Sequence, residues 1–345
     1  MSTARAWAMD GPEEPFHPTT ITRREVGPTE VAFDIKYAGI CHSDIHTARS
    51  GWGPAKYPIV PGHEIAGVVR EVGTDVTKFA VGDRVGVGCL VDACGTCEQC
   101  RCGREQFCKR AVWTYNSIGV DGEVTKGGYS TSITVEQDFV CRIPDALGLD
   151  VAAPLLCAGI TTYSPLKKWG AGPGKRVAIV GMGGLGHVAV QIAAAMGAEV
   201  SVISQTRSKE ADGRRFGASN YIAVSEDGWI KGHVGEFDLV LSTVAADEDI
   251  TQLVRTVAFG GAFIDVGMPE TASKLNLRTL CSTGASVNAS LIGGIAETQE
   301  MLDFCAEHGV AAQVEVIPAS EITAAYDRVV KSAVRYRYVI DASTI

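Results

Sequence analysis

Apolar positions in the first third of the chain recur with the period of a strand. Val31, Phe33, Ile35 and Tyr37 alternate with Ala32, Asp34 and Lys36, the pattern of a half-buried strand with one face inward. Residues 65–72 and 84–87 are further β-branched runs, bounded by Gly-Asp, Pro-Gly and Gly-Thr pairs that mark turns. From about residue 177 the texture changes. Apolar runs at 177–180, 200–203, 239–241, 263–266 and 287–291 are separated by segments long enough for helices, which predicts βαβ units and a parallel sheet. The C-terminal end differs again. Residues 295–308 put Ile295, Met301, Leu302 and Cys305 near one helical face and stop at Gly309, a good C-cap. Ser320 is placed to cap a second helix running to about residue 332, ahead of a strand at 336–340. A β-rich start, an α/β middle and a mixed tail suit a discontinuous domain interrupted by a nucleotide-binding insertion.

One stretch imitates a membrane span. Residues 177–198 contain no Asp, Glu, Lys or Arg, and about 20 such residues suffice to cross a bilayer. Gly181, Gly183, Gly184 and Gly186 divide it into a short strand and a helix instead. The N-terminus has no apolar run of signal-peptide length, so the expectation is a cytoplasmic protein without a membrane partner.

Composition adds three constraints. A length of 345 residues predicts two domains or one large barrel. With 31 basic against 40 acidic side chains, the formal charge is −9, which argues against nucleic acid or an anionic membrane surface as partner. An odd count of 11 cysteines does not suit a secreted disulfide scaffold and points to metal.

Cys94, Cys97, Cys100 and Cys108 fall within 15 residues. Four thiolates are the ligand set of a closed, structural zinc site; an iron–sulfur cluster, a redox pair or unconnected buried cysteines are the competing readings. A zinc module could also serve a nucleic-acid binder, but the acidic chain speaks against it. Cys41, His63 and Cys157 have bland readings singly, as a small core residue or a turn histidine. Together they offer two thiolates and one imidazole, the three-ligand set of a catalytic zinc with an open position.

Gly181-Met182-Gly183-Gly184-Leu185-Gly186 follows a predicted strand and precedes a predicted helix. In that context G-x-G-x-x-G is a dinucleotide fingerprint, the pyrophosphate resting on a helix N-terminus. An NAD site generally carries Asp or Glu at the end of the next strand. Here Ser204 ends it, followed by Gln205, Thr206, Arg207, Ser208 and Lys209. Hydroxyls and two cations favour a ribose phosphate, hence NADP(H).

Taken in order and spacing, Gly-His-Glu, the four-cysteine lobe, Leu-Cys-Ala-Gly and the glycine motif resemble the zinc-dependent alcohol dehydrogenases of the medium-chain dehydrogenase/reductase superfamily. Cys-His-Ser-Asp-Ile-His, Ile-Gly-Gly-Ile-Ala-Glu-Thr-Gln-Glu-Met-Leu and Val-Arg-Tyr-Arg-Tyr-Val look like its cinnamyl-alcohol-dehydrogenase-like branch, bacterial NADP-dependent aldehyde reductases in particular. The resemblance implies an α/β protein with a GroES-like catalytic domain, residues 1–151 and 292–345, and a Rossmann domain with a doubly wound parallel sheet, residues 152–291. It implies a catalytic zinc on Cys41, His63 and Cys157, with Glu64 able to take the fourth position and Asp44 orienting His63. It further implies a proton relay through Ser43 and His46, with His42 turned toward cofactor phosphate or solvent. Plant members carry a carboxylate beyond the relay where this chain has Gly51. Thr161 corresponds to a position beside the nicotinamide, and Trp52, Cys89, Trp113, Leu291 and Ile292 to an apolar substrate pocket that suits neutral aldehydes. The activity implied is reversible hydride transfer between NADP(H) and aromatic or medium-chain aliphatic aldehydes or primary alcohols, in a homodimer built through the Rossmann sheet. An NAD-linked zinc alcohol or polyol dehydrogenase is the runner-up.

Overall fold

A computed structural model of the chain describes residues 1–245 and 249–345. They form two units, residues 1–160 with 293–345, and residues 161–292.

The first unit is built on a seven-stranded sheet. Its order is Val314–Pro318, Arg337–Asp341, Glu30–Gly39, Ile65–Val72, Arg84–Val87 and Cys141–Arg142, with Ser132–Glu136 also pairing Glu30–Gly39. Glu30–Gly39 is the strand whose alternation is plainest in the sequence, and Val31, Phe33 and Ile35 are buried. The register shifts between Ile35 and Tyr37. After that bulge Tyr37 is only half buried and Ala38 takes the inward position, because one extra residue inverts which side chains face the core. Arg337–Asp341 runs antiparallel to this strand, so the end of the chain completes a sheet begun near its start.

The helix Ile295–His308 ends at Gly309 with φ 66° as the sequence predicts. The next helix, Ile322–Val330, starts later than expected. Ser320 is not its cap but lies inside a preceding 3₁₀ turn, Ala319–Glu321, entered from Pro318, whose fixed φ suits the first turn of a helix.

The second unit holds six parallel strands in the order Asn220–Ala223, Glu199–Ser204, Arg176–Val180, Phe237–Ser242, Val257–Asp265, Ser286–Ala289. Numbered along the chain this is 3-2-1-4-5-6, the doubly wound order in which the direction of winding reverses beside the first strand. Residues 177–198 resolve into the strand Arg176–Val180 and the helix Gly186–Ala195. Among the described residues, no helix is long and apolar enough to cross a membrane.

A buried arginine braces the first unit. Arg23 donates from Nε to the Ser132 carbonyl (2.8 Å), from Nη1 to that of Lys126 (2.7 Å), and from Nη2 to that of Gly127 (2.9 Å) and to Ser130 Oγ (2.7 Å). The segment it holds bonds in turn to residues 60–62, through Gly127 N to Val60 O and Gly128 N to Gly62 O. Removing a side chain that satisfies several buried carbonyls strands those acceptors, at about 1–3 kcal/mol for each group left unsatisfied. Arg23→Ala is therefore expected to lower stability by about 3 kcal/mol; a denaturant midpoint within error of the parent protein's would contradict this bracing role.

Candidate metal and dinucleotide sites

Cys41 ends the turn after Glu30–Gly39 and is the N-cap residue of the helix His42–Ala48. His63 and Glu64 immediately precede Ile65–Val72, and Cys157 follows the 3₁₀ turn Ala153–Leu156. One donor atom from each of Cys41, His63, Glu64 and Cys157 lies within 4.8 Å of the others, and all four residues are buried.

Asp44 organises this group from beneath. It is fully buried. Its Oδ2 accepts the Cys41 backbone N–H (2.9 Å), and its Oδ1 accepts the Gly62 N–H (3.0 Å) and the His63 ring at Nδ1 (3.0 Å). A carboxylate only accepts, so Nδ1 carries the proton and Nε2 is the nitrogen left for a ligand. Glu64 is held in the same manner. Arg337, buried in the C-terminal strand, donates from Nη2 to Glu64 Oε1, while Oε2 is buried without a hydrogen-bond partner among the described residues. An orphaned carboxylate oxygen is costly unless something charged or hydrogen-bonding meets it.

Charge within the group carries the same message. A hydrogen bond from Cys157 holds the Cys41 thiol well below its ordinary pKa. Hydrogen bonds to Cys41 and Cys89, with burial, push Cys157 well above its own. The two sulfurs are 4.0 Å apart, and like charges at that distance cannot both persist without a cation between them. Two thiols, an imidazole nitrogen and an orphaned carboxylate oxygen converging in a buried space fit a zinc ion.

Beside this group, Ser43 Oγ is 3.7 Å from Cys41 Sγ. His46 stands one helical turn further on, its ring stacked on Trp52 with centroids 4.9 Å apart; the His42 ring is 5.7 Å from that of His46. Cys89 reaches the group through its contact with Cys157. Trp113 lies half exposed in the short strand Val112–Trp113. Leu291 and Ile292 belong to the second unit, just past Ser286–Ala289.

The four clustered cysteines also converge. Donor atoms of Cys94, Cys97, Cys100 and Cys108 all lie within 4.8 Å of one another. Cys97 N–H donates to Cys94 Sγ and Arg110 N–H to Cys108 Sγ, both at 3.3 Å. Bonds from the backbone around Thr96 and Cys97 bring the Cys94 thiol down to about 6, so it is poised as a thiolate. Four sulfurs complete a tetrahedron and leave no open position.

In the second unit the glycine turn sits at the end of Arg176–Val180. Gly181 has φ 90°, and a Cβ there would meet Thr243 Oγ1 at 2.8 Å. A Cβ at Gly183 would meet nothing within 4 Å. Protein packing therefore does not demand glycine at 183, whereas a ligand brought close to the backbone would. That open cradle before the helix Gly186–Ala195 fits a pyrophosphate. Ser204 ends the neighbouring strand, and Thr206 caps the 3₁₀ turn Arg207–Lys209. Lys209 Nζ donates to the Met182 carbonyl (2.9 Å), within the glycine turn itself. Arg207 instead bonds Glu226 and Glu210, which the sequence did not disclose. Thr161 is buried in the helix Ala158–Lys168.

Arg337 and Tyr115 were missed at the sequence level. Arg337 had a signal, being a charge inside the run Arg337-Tyr338-Val339-Ile340 that reads as a buried strand, where an arginine needs a partner. Tyr115 had none; its ring lies 5.9 Å from that of His63, and its hydroxyl donates to the Ser43 carbonyl.

Comparison with known proteins agrees with this geometry. Residues 27–145 match the alcohol dehydrogenase GroES-like domain, and residues 184–307 the zinc-binding dehydrogenase family. NADP-dependent alcohol dehydrogenase C 1 of Mycolicibacterium smegmatis is 55% identical over 347 aligned positions, covering 100% of this chain and 99% of that protein. The probable formaldehyde dehydrogenase AdhA of Bacillus subtilis is 54% identical, covering 96% of this chain and 95% of that one. Among solved structures, a cinnamyl alcohol dehydrogenase from Sorghum bicolor superposes with a TM-score of 0.95 at 42% identity, covering 99% of this chain and 98% of that one. The cinnamyl alcohol dehydrogenase of Helicobacter pylori, solved with NADP(H), gives 0.93 at 40% identity over the same shares. The chain thus belongs to the zinc-dependent alcohol dehydrogenases of the medium-chain dehydrogenase/reductase superfamily, in the cinnamyl-alcohol-dehydrogenase-like branch.

Proposed function

We propose that this chain is a zinc-dependent, NADP(H)-preferring alcohol dehydrogenase that acts mainly as an aldehyde reductase on aromatic or medium-chain aliphatic aldehydes. The observation that carries this is the buried convergence of Cys41, His63, Glu64 and Cys157 over Asp44. Cys41, His63 and Cys157 hold the catalytic zinc, Glu64 supplies a reserve fourth ligand, and Cys94, Cys97, Cys100 and Cys108 hold a structural zinc. When bound, zinc would supply a Lewis acid for a carbonyl oxygen, and the nicotinamide a hydride donor or acceptor.

The protein's own groups do the rest. Asp44 fixes the His63 tautomer and also fastens the Cys41 backbone, so two ligands are set by one carboxylate. Arg337 holds one oxygen of Glu64 and leaves the other facing the donor set. Ser43 Oγ, next to Cys41, gives its proton to the substrate oxygen in reduction, and His46 restores it by exchange with water, the proton-shuttle role an imidazole serves. Family resemblance assigns substrate contact to Trp52, Cys89, Trp113, Leu291 and Ile292. They are apolar or nearly so, in keeping with a neutral aldehyde.

In the dinucleotide site the backbone of Gly181, Gly183, Gly184, Leu185 and Gly186 cradles the pyrophosphate. Ser204, Thr206, Arg207 and Lys209 meet the adenosine ribose phosphate, and Thr161 the nicotinamide side. The catalytic domain is residues 1–151 with 292–345, the dinucleotide domain 152–291. The enzyme works in the cytoplasm, where cysteine committed to metal stays reduced. It forms a homodimer through the Rossmann sheet, whose last strand, Ser286–Ala289, pairs on one side only among the described residues and carries the partly exposed Val287.

His63→Ala is expected to abolish turnover and to remove one of two zinc ions per chain, with the far-ultraviolet circular dichroism retained; full kcat at that zinc content would sink the proposal. Cys97→Ser acts at the other site, lowering the melting temperature and removing the second ion while the first remains; an unchanged melting temperature would count against a structural metal. For Asp44→Asn, zinc affinity at the catalytic site is expected to fall about 10–100-fold, read by competition with a chromogenic chelator. Undiminished affinity there would show that His63 needs no carboxylate behind it.

A further inference from the structure

Arg207 and Lys209 are both cations at the end of the second parallel strand, yet they stand in different surroundings. Arg207 Nε donates to Glu226 Oε1 (2.5 Å) and Nη2 to Glu226 Oε2 (3.0 Å). This is the two-pronged pairing in which a guanidinium binds carboxylate or phosphate most strongly. Its Nη1 donates to Glu210 Oε2 (3.0 Å) and to the Tyr221 carbonyl (3.3 Å). Of the five N–H groups on a guanidinium, these contacts use all but one.

Glu226 follows the strand Asn220–Ala223, and its side chain is half exposed. Arg207 holds both Glu226 and Glu210 below the ordinary carboxylate range, so both are ionised at neutral pH. A phosphate that came to Arg207 would find its fork closed and a carboxylate of like charge beside it. Lys209, by contrast, rests its ammonium on the Met182 carbonyl inside the glycine turn.

We infer that Glu226 is a cofactor-selectivity residue. Its carboxylate occupies the fork of Arg207, competes there with the phosphate on the adenosine ribose, and thereby limits the preference for the phosphorylated dinucleotide. Glu226 acts through Arg207 and touches neither substrate nor the reacting atoms, so it is a positioning residue. It matters in this way for the NADP(H) cofactor proposed above, and the two assignments fail separately. The ion pair is largely solvated, with side chains 47% and 51% exposed, so its worth is at the scale of a surface pair.

Glu226→Gln keeps the size of the side chain and removes its charge. NADPH is expected to bind this variant about 5-fold more tightly, the scale of an exposed ion pair. NADH affinity is expected to stay within about 2-fold, since it carries no phosphate on that ribose. Both are read by equilibrium titration of nicotinamide fluorescence, without substrate. Adenosine 2′,5′-bisphosphate, measured by calorimetry, is expected to show the same gain as NADPH, and high salt to shrink it. Adding Arg207→Ala to Glu226→Gln is expected to erase the gain. Unchanged or weaker NADPH binding by Glu226→Gln would overturn the inference. So would equal tightening of both dinucleotides, or a gain that survives the loss of Arg207. If the parent protein binds NADPH no more tightly than NADH, the proposed cofactor preference falls, while the comparison of Glu226→Gln with its parent still decides the role of Glu226.

Discussion

The buried carboxylate of Asp44 is the constraint on which the catalytic unit depends. A charge removed from water must be met by donors, and Asp44 meets three: the backbone N–H of Cys41, that of Gly62, and the His63 ring. Those donors come from either side of a gap in sequence, so the carboxylate ties the helix His42–Ala48 to the turn that carries His63. The price of burying one acid is repaid in geometry: two candidate ligands are brought to one point and aimed at it. Arg23 works at one remove, bracing residues 126–130 against the same turn. Arg337 does for Glu64 what Asp44 does for His63. The candidate ligand set is thus held by buried charged groups packed behind it.

Much of this was legible in the amino-acid sequence, for identifiable reasons. The alternation of Val31, Phe33 and Ile35 and the parallel-sheet texture after residue 177 are local signals, and both elements form. The cysteine lobe is equally local, since spacings of two residues confine its sulfurs to one small loop. Cys41, His63 and Cys157 are separated by long stretches of chain, so only their donor chemistry and family resemblance could group them before the fold brings them together. The bulge between Ile35 and Tyr37 left no trace in the hydrophobic pattern, because a register shift depends on the partner strand. Ser320 falls inside a 3₁₀ turn entered from Pro318, two residues before it, a position a serine suits as well as a cap.

Charge partners were the least legible feature. Arg207 and Lys209 looked alike as cations after Ser204, and nothing local says that one faces Glu226 and the other the glycine turn. Arg337 stood out only as a charge in an apolar run. Electrostatic pairing is decided by which strands become neighbours, and that information is spread across the whole chain.

The pairing of Arg337–Asp341 with Glu30–Gly39 has a temporal consequence. During synthesis, Cys41, His63, Glu64 and Cys157 all leave the ribosome long before the strand that covers Glu64. The parallel sheet of residues 161–292 has its own contacts and can close while the first unit still waits for its last strand. Until Arg337 arrives, the Glu64 carboxylate lacks its guanidinium partner, and Tyr37, Ala38 and Gly39 lack the strand that pairs them. A message truncated shortly before its end would therefore yield a chain with every candidate metal ligand present, a complete dinucleotide fold, and an unfinished sheet beneath the candidate site.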